Sequence, residues 1–200
     1  MKQGHIFFDM DGTLMDTGLG ITKAVQYSLK KMNIIENDLN KLKPFIGPPL
    51  HETYSKLYNF NMDEYYTALA AFHEYYRQTG IFEASYYPHM TDTLEALLKS
   101  GKKLYVATSK PEPEARRVTE KFGLDKYFEY VGGSDGDYNT KRATKADVIK
   151  YVCEENNLID MEDIVMVGDR PYIFNLYESW LILRQQARAT ANAWPAQRRE

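Results

Sequence analysis

The stretch HIFFDMDGTLMDTG, residues 5–18, decides the fold. A short apolar run ends in two acids, Asp9 and Asp11, which stand one residue apart and directly before Gly12 and Thr13. Carboxylates this close repel each other, and Asp is a poor strand former. An apolar run of this kind suits a buried central strand better than an exposed alternating one. We therefore expect a cation or ligand at this strand end that offsets the repulsion.

Composition narrows the class of protein. With 200 residues and 44% hydrophobic content, the chain can bury the core of one domain, with or without a sizeable insertion. A formal net charge of −3 argues against a nucleic-acid or membrane partner, but it permits a small phosphorylated ligand. The single cysteine and the lack of a signal peptide or long apolar stretch predict a cytoplasmic protein.

Hydrophobic spacing divides the chain into two parts. From about 19 to 79 the spacing is helical, and the prolines of KPFIGPPL at 43–50 interrupt it. After Pro88, predicted helices alternate with predicted strands, whose sequences are KKLYVATS, YFEYVGG and EDIVMVGD. This alternation predicts an α/β fold with a parallel sheet and helices on both faces.

Polar residues gather where these strands end. They are Asp9, Asp11, Thr108, Ser109, Lys110, Gly168 and Asp169. In open parallel sheets, ligands bind at the carboxyl ends of the strands. Carboxylates, hydroxyls and an ammonium at one edge are suited to holding a divalent cation together with a phosphate.

The residue types suggest a division of roles. Asp9 and Asp169 can supply two oxygen ligands to magnesium. Asp9 is then placed to attack phosphorus and form an aspartyl-phosphate, while Asp11 acts as the general acid and base. Gly12 permits close approach of the backbone to phosphate, and Thr108 and a lysine neutralise the phosphoryl oxygens.

A calcium loop is the alternative explanation for DMDG. The EF-hand pattern requires an acid or amide at its fifth position and glycine at its sixth. Here Thr13 and Leu14 occupy those positions, so this alternative fails.

Over about residues 4–170 the sequence resembles the haloacid dehalogenase-like phosphatases. FFDMDGTLMDT resembles their first motif, which implies Asp9 as nucleophile and Asp11 as acid/base, with the Asp11 backbone carbonyl also on magnesium. LYVATSKP resembles the second motif and implies that Thr108, with Ser109 beside it, binds phosphate. IVMVGDR resembles the fourth motif and implies Asp169 as a magnesium ligand.

The third motif of that family is a lysine without fixed local context. Within DYNTKRATKADVIKY, Lys145 is the first choice because it opens a helix, as in similar family members, and Lys141 is the second. The resemblance implies that this lysine is catalytic and joins Gly12, Thr108 and Ser109 around the phosphate.

The resemblance also implies the architecture and the reaction. We expect a Rossmann-like three-layer core from residues 1–15 and 86–170, with an inserted helical cap at 16–85 as in phosphoglycolate-phosphatase-like and 5′-nucleotidase-like members. The expected activity is magnesium-dependent hydrolysis of a small phosphomonoester through an aspartyl-phosphate. The expected partner is a phosphorylated metabolite, and the expected state is a monomer or weak dimer.

One departure from the family pattern weakens the expectation of phosphatase activity. The fourth motif normally continues with a second acid four or five residues after its first, and here Ile173 and Phe174 occupy those positions. Neither side chain binds a cation. A catalytically impaired or inactive protein of the same fold is therefore the alternative, and a phosphomutase is a third reading.

Composition changes at the same point. Residues 171–200 hold both tryptophans, none of the 12 glycines, and four arginines but no lysine. A frameshifted or recombined tail would produce this change. A natural, diverged C-terminus is the alternative, with WLIL as its last strand and ARATANAW as a helix.

Reading the coding DNA in its other two frames tests the frameshift hypothesis. We expect one frame to encode an acid four or five residues after Asp169, followed by a glycine-containing continuation. If neither frame does so, the frameshift hypothesis is wrong.

Overall fold

A computed structural model describes residues 4–46, 50–136, 141–159 and 161–169. The atypical tail at 171–200, with Ile173 and Phe174, lies outside these residues. The frameshift hypothesis therefore remains a prediction.

The core of the molecule is a four-stranded parallel sheet. Its strands are β1 (His5–Phe8), β4 (Lys103–Pro111), β5 (Tyr130–Ser134) and β6 (Ile164–Val167), in the spatial order β5-β4-β1-β6. In register, Phe8 of β1 pairs with Val106 of β4 on one side and with Val167 of β6 on the other. β1 is therefore an internal strand, as its apolar sequence predicts, and its end lies between the ends of its two neighbours.

Side chains of the internal strands alternate between two apolar layers. Phe8, Leu104 and Val106 belong to the larger cluster of buried residues. Phe7 and Tyr105 point the other way, into a second cluster with the helix that precedes β6. Both faces of the sheet are covered, which is why these strands are almost continuously hydrophobic.

Helices cover the two faces. α4 (Met90–Lys99) and α5 (Glu112–Lys121) contribute Leu94, Ala115 and Val118 to the larger cluster. α6 (Lys145–Glu155) contributes Val148, Ile149, Val152 and Cys153 to the second. The predicted three-layer, Rossmann-like α/β fold is thus confirmed.

A helical segment interrupts the core after its first strand. It contains α1 (Gly18–Lys31), a 3₁₀ helix (Leu39–Phe45), α2 (Leu50–Tyr58), α3 (Met62–Gln78) and a second 3₁₀ helix (Gly80–Phe82). Two short strands, β2 (Met15–Asp16) and β3 (Ser85–Tyr86), pair antiparallel where the chain leaves the core and returns to it. We call residues 17–84 the helical insertion.

The helical insertion packs largely on itself. Phe45, Tyr54 and Phe60 form an aromatic cluster among α1, α2 and α3. Asn61 caps α3 through a reciprocal pair of hydrogen bonds with Glu64. Within the described part of the chain, no helix has the length and apolar character that a membrane crossing requires.

Candidate active site

Asp9 stands immediately after β1, at the carboxyl edge of the sheet. Its backbone N–H donates to the carbonyl of Val167 at 2.9 Å, which ties it to the end of β6. Its Oδ1 accepts from the backbone N–H of Met10 at 2.8 Å. The residue is buried. The carboxylate is thereby fixed in direction as well as in place.

Lys145, the first residue of α6, places its ammonium beside the Asp9 carboxylate. Its Nζ lies 2.6 Å from Oδ1 of Asp9 and donates to the carbonyl of Ala107 at 3.2 Å. Burial lowers the pKa of Lys145, and the nearby Asp9 carboxylate offsets only part of this effect. The alternative lysine, Lys141, is exposed.

The helix that carries Lys145 is built to begin at that residue. Thr144 caps α6, accepting from the N–H of Asp147, whose side chain in turn accepts from the N–H of Thr144. A cation in the first turn of a helix opposes the helix dipole. The contact with Asp9 offsets that cost.

Asp11 lies in a tight loop between β1 and β2. The N–H groups of Leu14 and Met15 both donate to the carbonyl of Met10 at 3.0 Å, which closes the loop. Oδ2 of Asp11 lies 3.1 Å from Nζ of Lys110. Oδ1 is buried, and it has no hydrogen-bond partner in the described part of the chain.

Gly12 lets the carboxylate of Asp169 approach this loop. Its φ of +81° is in the left-handed region, which favours glycine. A β-carbon at this position would lie 2.2 Å from Oδ2 of Asp169, far inside van der Waals contact. Asp169 follows β6, so the ends of adjacent strands place Asp9, Asp11 and Asp169 together.

The end of β4 supplies three further polar side chains, those of Thr108, Ser109 and Lys110. Thr108 is buried, and its Oγ1 accepts from the N–H of Lys110 at 3.2 Å. Ser109 is exposed at the cavity. Together with Asp9, Asp11, Gly12 and Asp169, these two residues line one cavity of about 880 Å³ between the sheet edge and the helical insertion.

Lys110 connects the loop to the helical insertion. Its Nζ donates to the hydroxyl of Tyr76, on α3, at 2.7 Å. Burial alone would lower the pKa of Lys110, but the proximity of Asp11 and Tyr76 outweighs burial and raises it. This lysine is therefore a fixed cation at the cavity.

The family model for haloacid dehalogenase-like hydrolases matches residues 6–173. The chain belongs to this family.

Two curated relatives of this haloacid dehalogenase-like hydrolase bear different names. A 5′-nucleotidase from Pseudomonas aeruginosa is 37% identical over 170 residues, which is 85% of this chain and 76% of the relative. A phosphoglycolate phosphatase from Aquifex aeolicus is 28% identical over 164 residues, which is 82% of this chain and 75% of the relative.

A solved structure has the same fold as this hydrolase. The crystal structure of a Clostridium difficile protein superposes with a TM-score of 0.79 at 43% identity. The match covers 86% of this chain and 79% of that one.

The structure brings the strand-end side chains singled out in the sequence to one cavity, whereas the sequence does not specify which contacts the helical insertion makes there. The sequence places Lys110 at the same strand end as Thr108 and Ser109, but it does not indicate which side chains this lysine contacts. Tyr76, near the end of α3, accepts a hydrogen bond from Lys110 of the core. Arg77, the next residue of α3, pairs with Glu114 of the core at 3.1 Å.

Proposed function

We propose that this haloacid dehalogenase-like hydrolase is a magnesium-dependent phosphatase, which cleaves a small phosphomonoester through an aspartyl-phosphate at Asp9. The observation that carries the proposal is that one oxygen of the Asp9 carboxylate is held by two contacts and the other is not used in them. Met10 and Lys145 both contact Oδ1. We therefore assign Oδ2 as the oxygen that attacks phosphorus.

Asp11 completes the two chemical steps. As Oδ2 of Asp9 bonds to phosphorus, the bond to the ester oxygen breaks, and Asp11 gives its proton to the departing alcohol. The resulting carboxylate of Asp11 then takes a proton from water, whose oxygen attacks the same phosphorus. Phosphate leaves and Asp9 is regenerated. Oδ1 of Asp11, buried without a hydrogen-bond partner in the described part of the chain, is suited to carry that proton.

Lys145 and Thr108 stabilise the transferring group. Negative charge spreads over the phosphoryl oxygens in the transition state, so fixed donors there lower the barrier. Lys145 supplies a partly buried ammonium and Thr108 a buried hydroxyl at the same sheet edge.

The donor set also fits magnesium. This cation prefers oxygen ligands and often takes only one or two carboxylates, with water and substrate phosphate completing its shell. Asp9 and Asp169 would supply two carboxylates, and the resemblance to the family implies the Asp11 carbonyl as a further ligand. The described residues contain no cluster of three or more acidic, His or Cys side chains able to hold a metal, so water and phosphate would fill the remaining positions. When bound, the cation would neutralise phosphate charge beside Asp9.

We propose that residues 16–85 serve as a cap over a core formed by 1–15 and 86–170. The cavity lies between these two parts, and Tyr76 and Arg77 of α3 bind Lys110 and Glu114 of the core. A cap in this position excludes water from the phosphoryl group and selects the rest of the substrate.

An inactive phosphatase-fold protein is the second candidate. It is favoured by Ile173 and Phe174, which stand where the family's second acid is expected. Such a protein would bind a phosphate analogue such as orthovanadate without turning over any ester.

Hydrolysis of p-nitrophenyl phosphate tests the proposal. We expect turnover that requires magnesium and is abolished by EDTA. The Asp9→Asn variant should lose at least about 10³-fold in kcat, because the attacking oxygen is replaced by an amide. Asp125→Asn, the same change at an exposed position of the core, should leave kcat unaltered.

The result that overturns the mechanism is activity of Asp9→Asn equal to that of the wild type. Orthovanadate binding by the wild type, without measurable turnover of any ester, would support the inactive candidate instead.

A further inference from the structure

The cavity extends well beyond the space that a phosphoryl group fills. Its volume of about 880 Å³ is at the upper end of the range for small-molecule sites, about 300–1,000 Å³. The phosphate end lies at Asp9, Thr108 and Lys110, so the remaining space belongs to the departing alcohol. The helical insertion forms most of the wall there.

That part of the wall is apolar. Its hydrophobic members, which we call the insertion wall, are Ile21, Phe45, Ile46, Leu50, Tyr65, Leu69 and Phe72. Ile21, Ile46, Leu50 and Leu69 are only partly buried and so keep surface free for a ligand. An apolar ligand surface placed there would be removed from water, which favours binding.

The charges beside the insertion wall are negative. Asp16 and the exposed Glu52 line the cavity, as does Glu114, which is already paired with Arg77. In the described residues no lysine or arginine of the helical insertion lines it. His73 also lines it, but burial, and secondarily Arg77, lower the pKa of that imidazole. Burial therefore disfavours the charged form of His73. Lys110, on the core side, is already bound by Asp11 and Tyr76.

A second anionic group would therefore be poorly accommodated. A carboxylate or second phosphate in this space would lose hydration and meet two acids without a cation. We infer that the site takes the phosphomonoester of an uncharged alcohol with an apolar or ring-bearing body, and that it discriminates against esters with a second anion near the phosphate. This inference rests on the proposed phosphatase function.

Two esters of primary alcohols test the inference. Benzyl phosphate carries an uncharged ring, and phosphoglycolate carries a carboxylate. We expect kcat/KM for benzyl phosphate to exceed that for phosphoglycolate at least about 100-fold. A site that rejects one substrate group, here the carboxylate, can discriminate by this factor. A preference for phosphoglycolate, or equal values, would overturn the inference.

Binding to the Asp9→Asn variant separates this inference from the proposed chemistry. Calorimetric titration should give tighter binding of benzyl phosphate than of phosphoglycolate even without turnover. If no ester is hydrolysed by the wild type but this binding preference is found, the proposed reaction fails and the inference about the wall stands. If neither ester binds, the inference about the wall fails, and hydrolysis of p-nitrophenyl phosphate by the wild type decides the proposed reaction separately.

A cation placed in the wall should reverse the preference. Leu69→Lys should raise the phosphoglycolate-to-benzyl phosphate ratio of kcat/KM by at least about tenfold, because it gives the second anion a partner. Leu69→Met is the matched control and should leave the ratio within about twofold. Ile21→Lys gives the same test from α1 if Leu69→Lys lowers the melting temperature severely. An unchanged ratio in a folded lysine variant would contradict the inference.

A different observation carries a second inference. A chain of polar groups runs from the helical insertion to the loop that holds Asp11. The Tyr76 hydroxyl lies 2.7 Å from Nζ of Lys110, and this Nζ lies 3.1 Å from Oδ2 of Asp11. Tyr76 and Lys110 are each less than a tenth exposed. Lys110 therefore holds one oxygen of the Asp11 carboxylate, and Tyr76 holds Lys110.

We propose that Tyr76 is a positioning residue for the proton transfer by Asp11. With Oδ2 held by Lys110, the carboxylate presents Oδ1, the buried oxygen without a partner in the described part of the chain, for the proton. Because Tyr76 belongs to α3, the acid is fully oriented only while the helical insertion is docked on the core. This proposal also depends on the role proposed for Asp11.

The leaving group provides the decisive readout. Benzyl alcohol must be protonated as it departs, whereas p-nitrophenolate is stable without a proton. Tyr76→Phe should lower kcat/KM about tenfold for benzyl phosphate and less than about twofold for p-nitrophenyl phosphate. Tyr75→Phe removes a hydroxyl one residue away, which donates to Glu83 at 2.9 Å, and should affect neither ester.

A purely structural role would give a different pattern. Equal losses for the two esters in Tyr76→Phe, or no loss for either, would contradict the proposal. In an Asp11→Asn background, Tyr76→Phe should cause no further loss, and a full additional loss would also contradict it. If Tyr76→Phe does not fold, Lys110→Gln should show the same dependence on the leaving group.

Discussion

The contact between Asp9 and Lys145 is the interaction on which the site depends. It joins the end of the internal strand β1 to the start of α6 over 2.6 Å. Each group would be unfavourable alone, since Asp9 is a buried carboxylate near a second acid and Lys145 is a cation at a helix N-terminus. Together they neutralise each other where parallel strand ends converge. The repulsion between the two acids that follow the apolar run is therefore offset by a cation of the protein itself, the Lys145 ammonium.

Close approach of three strand ends makes the rest of the site possible. β1 and β6 are adjacent, so Asp9 and Asp169 are brought together by register, and Gly12 leaves room for the Asp169 carboxylate against the loop. β4 on the other side brings Thr108 and Lys110. The phosphate end of the cavity therefore comes from the core, whereas the apolar end comes from the helical insertion. This division separates the chemistry from the choice of substrate.

The sequence predicts the core well because its signals are local. Apolar runs, helix caps and glycines after helices locate the strands and helices within a few residues, and parallel topology then gathers the strand ends. The sequence does not predict that Tyr76 reaches Lys110 or that Arg77 pairs with Glu114. Those contacts depend on how α3 docks across the core, which no local pattern encodes. The two-residue strands β2 and β3 are likewise too short to produce a periodic signal.

Trapping the aspartyl-phosphate tests the central claim most directly. Wild-type protein would be mixed with magnesium and p-nitrophenyl phosphate and quenched with hydroxylamine, which converts an acyl phosphate to a hydroxamate. Peptide mass spectrometry would then locate the modification. We expect the hydroxamate on Asp9, dependent on substrate and absent from the Asp9→Asn variant. A hydroxamate on Asp11, or rapid ester hydrolysis with no hydroxamate at any carboxylate, would contradict the account.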